Sequence, residues 1–230
     1  MHKKYDVFLI DADNTLFDYD KAEMHALHLT LDIFGYAYDA DTLSIYRKIN
    51  SKAWDDFERG IIKKTDINKQ RFTAFFAELG VNYQVEAFAD EYMLQLGKGN
   101  FLIDGAETLC KSIVDAGKQI YIITNGILSI QTARLSASVI KPYISDFFVS
   151  EHVGFQKPDL RYFNYVLNQI PPVNYHDILV IGDSLTADIQ GAVNANLDSC
   201  WYNHHKSIND ANIVPTYVIE NIANGYGCIG

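Results

Sequence analysis

The chain has 230 residues, of which 48% are hydrophobic and 21% charged, with a formal net charge of −10. That length suits one large domain or a core with a smaller companion, and no apolar run approaches the roughly 18 to 20 residues that cross a bilayer. The acidic balance excludes a groove that tracks a nucleic-acid backbone, which needs clustered Lys and Arg; a small anionic substrate fits if a cation, a lysine or helix N-termini offset the charge locally.

In chain order, the start MHKKYDVFLID offers too short an apolar run for a signal-peptide core, so a cytoplasmic protein is expected. The run VFLI at 7–10 predicts a strand ending at two closely spaced carboxylates, Asp11 and Asp13. Residues 18–96 hold no such run. They show four helix-length segments whose ends are marked by Gly35, Gly60, Gly80 and Gly97, where glycine takes the left-handed position. A helical insertion over 18–96 is therefore expected. Within it Tyr46, Asn50 and Trp54 fall at spacing four on one helix face, either a packing stripe or a pocket wall.

After the insertion, helix-length and strand-like segments alternate: a helix at 106–116, IYII before Thr124, a helix at 128–140, FFV before Ser150, a helix at 160–169, ILVIG before Asp183 and a helix at 186–195. Short strands at 199–202 and 217–219 follow. Continuous rather than alternating apolarity means strands buried on both faces, as in a parallel sheet covered by helices. The pattern predicts an α/β fold, a Rossmann-like doubly wound parallel sheet formed by 1–17 and 97–230, with the helical insertion 18–96 as a second domain. Cys110, Cys200 and Cys228 have no close pairing, so neither a zinc site nor a disulfide framework is indicated.

In such a sheet, ligands bind outside the carboxyl ends of the strands. Asp11 and Asp13, Thr124-Asn125-Gly126, Lys157 in GFQKPD, and Asp183 with Asp188 in GDSLTAD all belong there. Singly, each has a plain explanation: Thr124 and Ser184 as helix N-caps, Asn125-Gly126 as a turn, Lys157 as a surface charge, the aspartates as turn formers. Together, three or four acidic groups at one sheet end would repel unless a divalent cation or a lysine compensates them. Hard oxygen ligands in that number suit Mg²⁺, which is usually held by one or two carboxylates plus a substrate phosphate oxygen. An aspartate can accept a phosphoryl group, and a second one two residues on can serve as proton donor and base.

The D-x-D-x-T, strand-Thr-Asn-Gly, Lys-Pro and G-D-S-x-x-x-D elements, in this order over nearly the whole chain, resemble the haloacid dehalogenase superfamily. The resemblance implies a core of strand order 5-4-1-2-3 with a helical cap inserted after the first motif. It implies Asp11 as the nucleophile that forms an aspartyl-phosphate and Asp13 as the general acid and base. The Asp13 carbonyl, Asp11 and Asp183 would bind Mg²⁺, with Asp188 on the ion or one of its waters. Thr124, Asn125 and Gly126 would cradle the phosphate, Lys157 would balance the charge, and Ser184 would help hold the metal ligands. Residue 14 is Asn where the family often has Gly; Asn tolerates positive φ, so the turn should survive.

The cap pattern Y-x-x-x-N-x-x-x-W, then Gly60 and Arg71-Phe72, is similar to that of nucleoside 5'-monophosphate phosphatases, and N-acylneuraminate-9-phosphate phosphatases share much of it. Nucleotides are favoured, because planar bases suit an aromatic wall of Tyr46, Trp54 or Phe72 beside Asn50. A phosphomutase shares the whole site. A dehalogenase normally lacks an acid at the position of Asp13, and a silent interaction module would be expected to have lost one of the acids or Lys157. The histidines, His204 and His205 among them, show no metal-ligand spacing. The partner expected is a small phosphorylated metabolite, with neither nucleic-acid polymer nor membrane, bound by a monomer or small homo-oligomer.

Overall fold

The structure, a computed structural model, describes residues 5–81, 84–209 and 212–224; Cys228 lies outside them. The chain divides into two compact units, residues 1–20 with 100–230, and residues 21–99. Among the described residues no helix is long and apolar enough to cross a membrane.

The larger unit is built on six parallel strands: β1 (Val7–Asp11), β2 (Gln119–Thr124), β3 (Asp146–Val149), β4 (Ile178–Gly182), β5 (Asp198–Tyr202) and β6 (Tyr217–Ile219). Their order is β3-β2-β1-β4-β5-β6, which is the expected 5-4-1-2-3 arrangement with β6 added beside β5. The apolar runs are continuous because successive residues serve opposite faces. Phe8 and Ile10 enter one core with Ile120, Ile122, Leu179 and Ile181, while Val7 and Leu9 enter the other with Tyr121, Ile123, Ile178 and Val180. Both described cysteines, Cys110 and Cys200, are buried in the first of these cores.

The insertion carries α1 (Tyr19–Ile33), α2 (Ala40–Glu58), α3 (Ile67–Glu78) and α4 (Val85–Lys98). Asp39 caps α2 by accepting a 2.8 Å bond from the Thr42 amide. Gly35, Gly60 and Gly80 end the first three helices at φ of 77, 72 and 68°, the left-handed conformation that a Cβ disfavours. Gly97 does not end the fourth. It lies inside α4, which runs on to Lys98, and Gly99 is the cap residue. Gly99 is a glycine for space, since a Cβ there would meet Ala22 Cβ at 2.8 Å. The unit boundary accordingly falls after Gly99.

The larger unit also has α5 (Ala106–Asp115), α6 (Leu128–Ala137), α7 (Ser150–Val153), α8 (Leu160–Gln169) and α9 (Gln190–Asn194). Helix α6 stops three residues before the expected 140, where Ser138 turns extended and its hydroxyl takes a 3.4 Å bond from the Ile140 amide. The segment expected as a helix over 186–195 opens with a π turn, Leu185–Ile189, before α9.

Candidate active site

The carboxyl end of β1 continues into a tight turn. Phe17 and Leu16 donate to the Ala12 carbonyl at 2.8 and 3.0 Å, and the Asn14 amide bonds Phe17 O at 2.7 Å. Asn14 sits at φ 57°, and its side-chain oxygen accepts from the Tyr19 amide at 3.1 Å. The departure at residue 14 therefore keeps the turn and adds a bond.

Lys157 is the centre of the site. Its Nζ, on a residue 3% exposed, donates to Asp11 Oδ1 and Asp188 Oδ1, each at 2.6 Å, and to the Ile123 carbonyl at 3.0 Å. It is not a solvated surface charge. Asn125 fixes the loop that carries it: its Nδ2 donates to Lys157 O and its Oδ1 accepts from Lys157 N, both at 2.9 Å. Asn125 is thus a clamp between the loop after β2 and the loop before α8.

The π turn puts Asp188 back over the end of β4. Ile189 N reaches Ser184 O five residues back at 3.2 Å, a geometry frequent at functional sites. Asp188 Oδ2 then accepts from the Ser184 amide at 3.1 Å, and the Ser184 hydroxyl accepts from Ala187 N at 3.2 Å. Ser184 is both an N-cap and a support of the acidic cluster. Gly182 leaves the room required, because a Cβ there would lie 2.2 Å from Asp188 Oδ2. The carbonyl of the half-buried Asp183 accepts from Trp201 Nε1 at 2.8 Å.

Among the described residues, carboxylate oxygens of Asp11, Asp183 and Asp188 lie within 4.8 Å of one another. Burial pushes the Asp11 carboxyl up to about 7, against the pull of Lys157 and with further push from Asp188 and Asp13. Asp183 is likewise held well above the ordinary carboxylate range by burial, then by Asp11 and Asp188. Burial alone would lower Lys157, but Asp11 and Asp188 outweigh it and keep the ammonium above its usual range. Three carboxylates against one lysine leave an excess of negative charge in a site of hard oxygen donors, which fits a divalent cation.

Thr124 ends β2, and its hydroxyl accepts from the Gly126 amide at 2.9 Å, so it shapes the Thr124-Gly126 loop rather than capping α6, whose cap residue is Ile127. Three residues here escaped the sequence reading. Tyr162 OH accepts from Thr124 N at 3.0 Å and donates to Phe148 O at 2.7 Å; a tyrosine on the apolar face of α8 carries a tip that needs partners. Gln131 and Arg134, on α6, both bond the Asp13 carboxylate. A fully buried Arg is rare without a partner, but its burial is not legible from a short helix.

The cap candidates are placed by the cap's own packing. Tyr46 and Phe72 are fully buried among Phe75, Phe88 and Tyr92, and the Tyr46 and Tyr92 hydroxyls bond at 2.8 Å. Asn50 donates to Glu23 at 2.5 Å and accepts from Arg71 at 2.8 Å. Trp54, half-buried, meets Phe57 edge-on and stands outside that ring cluster. His204 stacks on Tyr202, with ring centroids 4.9 Å apart.

Residues 5–196 match the profile of the haloacid dehalogenase-like hydrolases. The chain is 38% identical to the HAD-hydrolase YfnB of Bacillus subtilis over 97% of this chain and 95% of that protein. It is 35% identical to the pyrimidine 5'-nucleotidase PynA of Streptococcus pneumoniae over 98% and 95%, and 28% identical to the pyrimidine 5'-nucleotidase YjjG of Escherichia coli over 95% of each. The crystal structure of magnesium-bound YfnB superposes with a TM-score of 0.93 at 37% identity, covering 99% of this chain and 100% of that one.

Proposed function

Because this chain belongs to the haloacid dehalogenase-like hydrolase family, we propose that it is a phosphomonoesterase that works through an aspartyl-phosphate on Asp11, with nucleoside 5'-monophosphates as its substrates. The observation that carries the reading is the cluster in which Lys157 joins Asp11 to Asp188 at 2.6 Å each, with Asp183 beside them. Asp11, Asp183 and the Asp13 carbonyl are the proposed ligands of Mg²⁺, and Asp188, held by Lys157 and the Ser184 amide, would bind the ion or one of its waters. When bound, the cation keeps the Asp11 carboxylate ionised and neutralises the transferring phosphoryl group.

The chain's own groups then divide the work. An Asp11 oxygen attacks phosphorus while the ester P–O bond breaks, and Asp13 gives its proton to the departing oxygen. In the second half Asp13 takes a proton from water as that water attacks phosphorus and the bond to Asp11 breaks. The Thr124 hydroxyl, the amides of Asn125 and Gly126, and Lys157 balance the charge on the equatorial oxygens. Of the cap candidates, the half-buried Trp54 is the proposed determinant of substrate choice, with Tyr46, Asn50 and Phe72, buried in the cap's own packing, acting only by shaping the cap, since the core groups address only the phosphate. Two relatives named pyrimidine 5'-nucleotidases favour nucleotides over sugar phosphates such as N-acylneuraminate 9-phosphate, and over a mutase. The three cysteines without close pairing are consistent with the cytoplasm as its location.

The test is phosphate release, with Mg²⁺ or with EDTA, from pyrimidine and purine 5'-monophosphates, sugar phosphates and N-acylneuraminate 9-phosphate, with Asp11→Asn as control. Mg²⁺-dependent turnover selective for nucleotides and absent in the control is expected. Preference for a sugar phosphate would keep the chemistry and replace the substrate; undiminished turnover by Asp11→Asn would refute the mechanism.

A further inference from the structure

Gln131 and Arg134 stand three apart in α6, on one face of the helix that follows the Thr124-Gly126 loop. Both reach the same group. Gln131 Nε2 donates to Asp13 Oδ2 at 2.6 Å, and Arg134 Nη1 donates to Asp13 Oδ1. The Asp13 side chain keeps 26% of its exposure, while Arg134 is fully buried and Gln131 nearly so. The donors are therefore fixed and the carboxylate sits at the edge of the site. Arg134 is itself held: its guanidinium lies over the Phe17 ring, 4.8 Å from the centroid, and Phe17 pairs with Asp13 in the turn after β1. Gly126 makes room for Gln131, because a Cβ on Gly126 would lie 2.2 Å from Gln131 Nε2.

We propose that Gln131 and Arg134 are positioning residues that aim the carboxylate of Asp13, so that α6 sets both the phosphate-binding loop at its N-terminus and the orientation of the proton carrier. The proposal rests on the reading of Asp13 as general acid and base. Two donors on two different oxygens fix the plane of a carboxylate, which a single bond leaves free to rotate about the Cβ–Cγ bond. Their loss leaves the acid in place but misdirected, and misplacement of a reacting group by about 1 Å costs on the order of 100-fold.

The experiment compares kcat and KM on the fastest alkyl phosphate of the panel above with those on p-nitrophenyl phosphate, whose leaving group departs without a proton. Wild type, Gln131→Leu and Arg134→Lys are measured, each also combined with Asp13→Asn. Gln131→Leu keeps the volume of the side chain; Arg134→Lys keeps the charge but loses the planar fork. If the Arg134 variant does not fold, as thermal melting reports, Gln131→Leu carries the test. The expected result, read in kcat/KM because the hydrolysis of the aspartyl-phosphate in the second half is the same for both substrates, is a loss of about 10- to 100-fold on the alkyl phosphate, a clearly smaller loss on p-nitrophenyl phosphate, and little further loss once Asp13 is Asn. Equal losses on both substrates, full additivity with Asp13→Asn, or no loss at all would overturn the proposal. A wild type inactive on every ester with Mg²⁺ would instead remove the phosphatase reading on which it depends.

Discussion

Replacing Lys157 by Met tests whether one ammonium holds the acidic cluster together. Lys157 Nζ is shared by Asp11 and Asp188 at 2.6 Å each and by Ile123 O at 3.0 Å. Removing one partner of a buried ion pair costs about 3–5 kcal/mol, because the other charge is left unpaired. At roughly 2–4 °C per kcal/mol for a chain of this size, Tm should fall by about 6–20 °C. The assay is thermal melting by circular dichroism of EDTA-treated protein at pH 7, repeated with Mg²⁺ and at pH 5. Mg²⁺ should return part of the loss, since a cation takes over the same carboxylates. The pH dependence has a definite sign. The folded-state value of Asp11 is raised from 3.8 to about 7, so in metal-free protein the stability present below the unfolded value is lost as pH rises through 7. A shift of that size corresponds to about 4 kcal/mol. The variant should accordingly lose less at pH 5, where the orphaned Asp11 carboxyl holds a proton. A loss below about 1 kcal/mol at pH 7, which is no more than an exposed pair contributes, would refute the reasoning, as would a loss identical at pH 5 and 7.

Asp13→Asn should lower kcat on alkyl phosphates by roughly 10²–10⁴, the share of general acid-base catalysis, in steady-state phosphate release; a loss below tenfold would remove Asp13 from the role. Gly182→Ala sets a Cβ 2.2 Å from Asp188 Oδ2, so it should weaken Mg²⁺ activation; an unchanged activation curve would show that Asp188 can shift without consequence. Asn14→Gly should leave Tm nearly unchanged, whereas Asn14→Val, a β-branched residue at φ 57°, should cost about 1–3 kcal/mol; equal Tm values for the two would contradict the turn argument.

Strands β1 to β4 were legible because burial on both sheet faces writes itself as unbroken apolar runs, whereas β5, which opens on Asp198 and Ser199, and β6, whose Val218 is exposed, were legible only as short strand-like stretches. Gly35, Gly60 and Gly80 marked helix ends because the left-handed turn there needs a missing Cβ. Gly97 carried the same letter for a different reason, inside α4, and sequence alone does not separate backbone freedom from packing space. The acidic cluster was legible as a set of motifs at strand ends. Gln131 and Arg134 were not, since long polar side chains on a short helix read as its solvent face until the turn after β1 supplies partners; Tyr162 reads as core, and the partners of its hydroxyl, Thr124 N and Phe148 O, are brought to it only by the fold. Asn125 shows the same limit: a turn former by its neighbours, it is tied to a lysine loop 32 residues away.

The Asn125 clamp changes when disorder is removed from the site. Lys157 belongs to a connecting segment outside any regular element, yet its backbone is tied at two points and its ammonium at three. A free lysine side chain carries up to roughly 2 kcal/mol of rotamer entropy. Here that freedom is surrendered once, when the chain folds, and not again at every encounter with an anion. Arriving phosphate meets a charge already at rest.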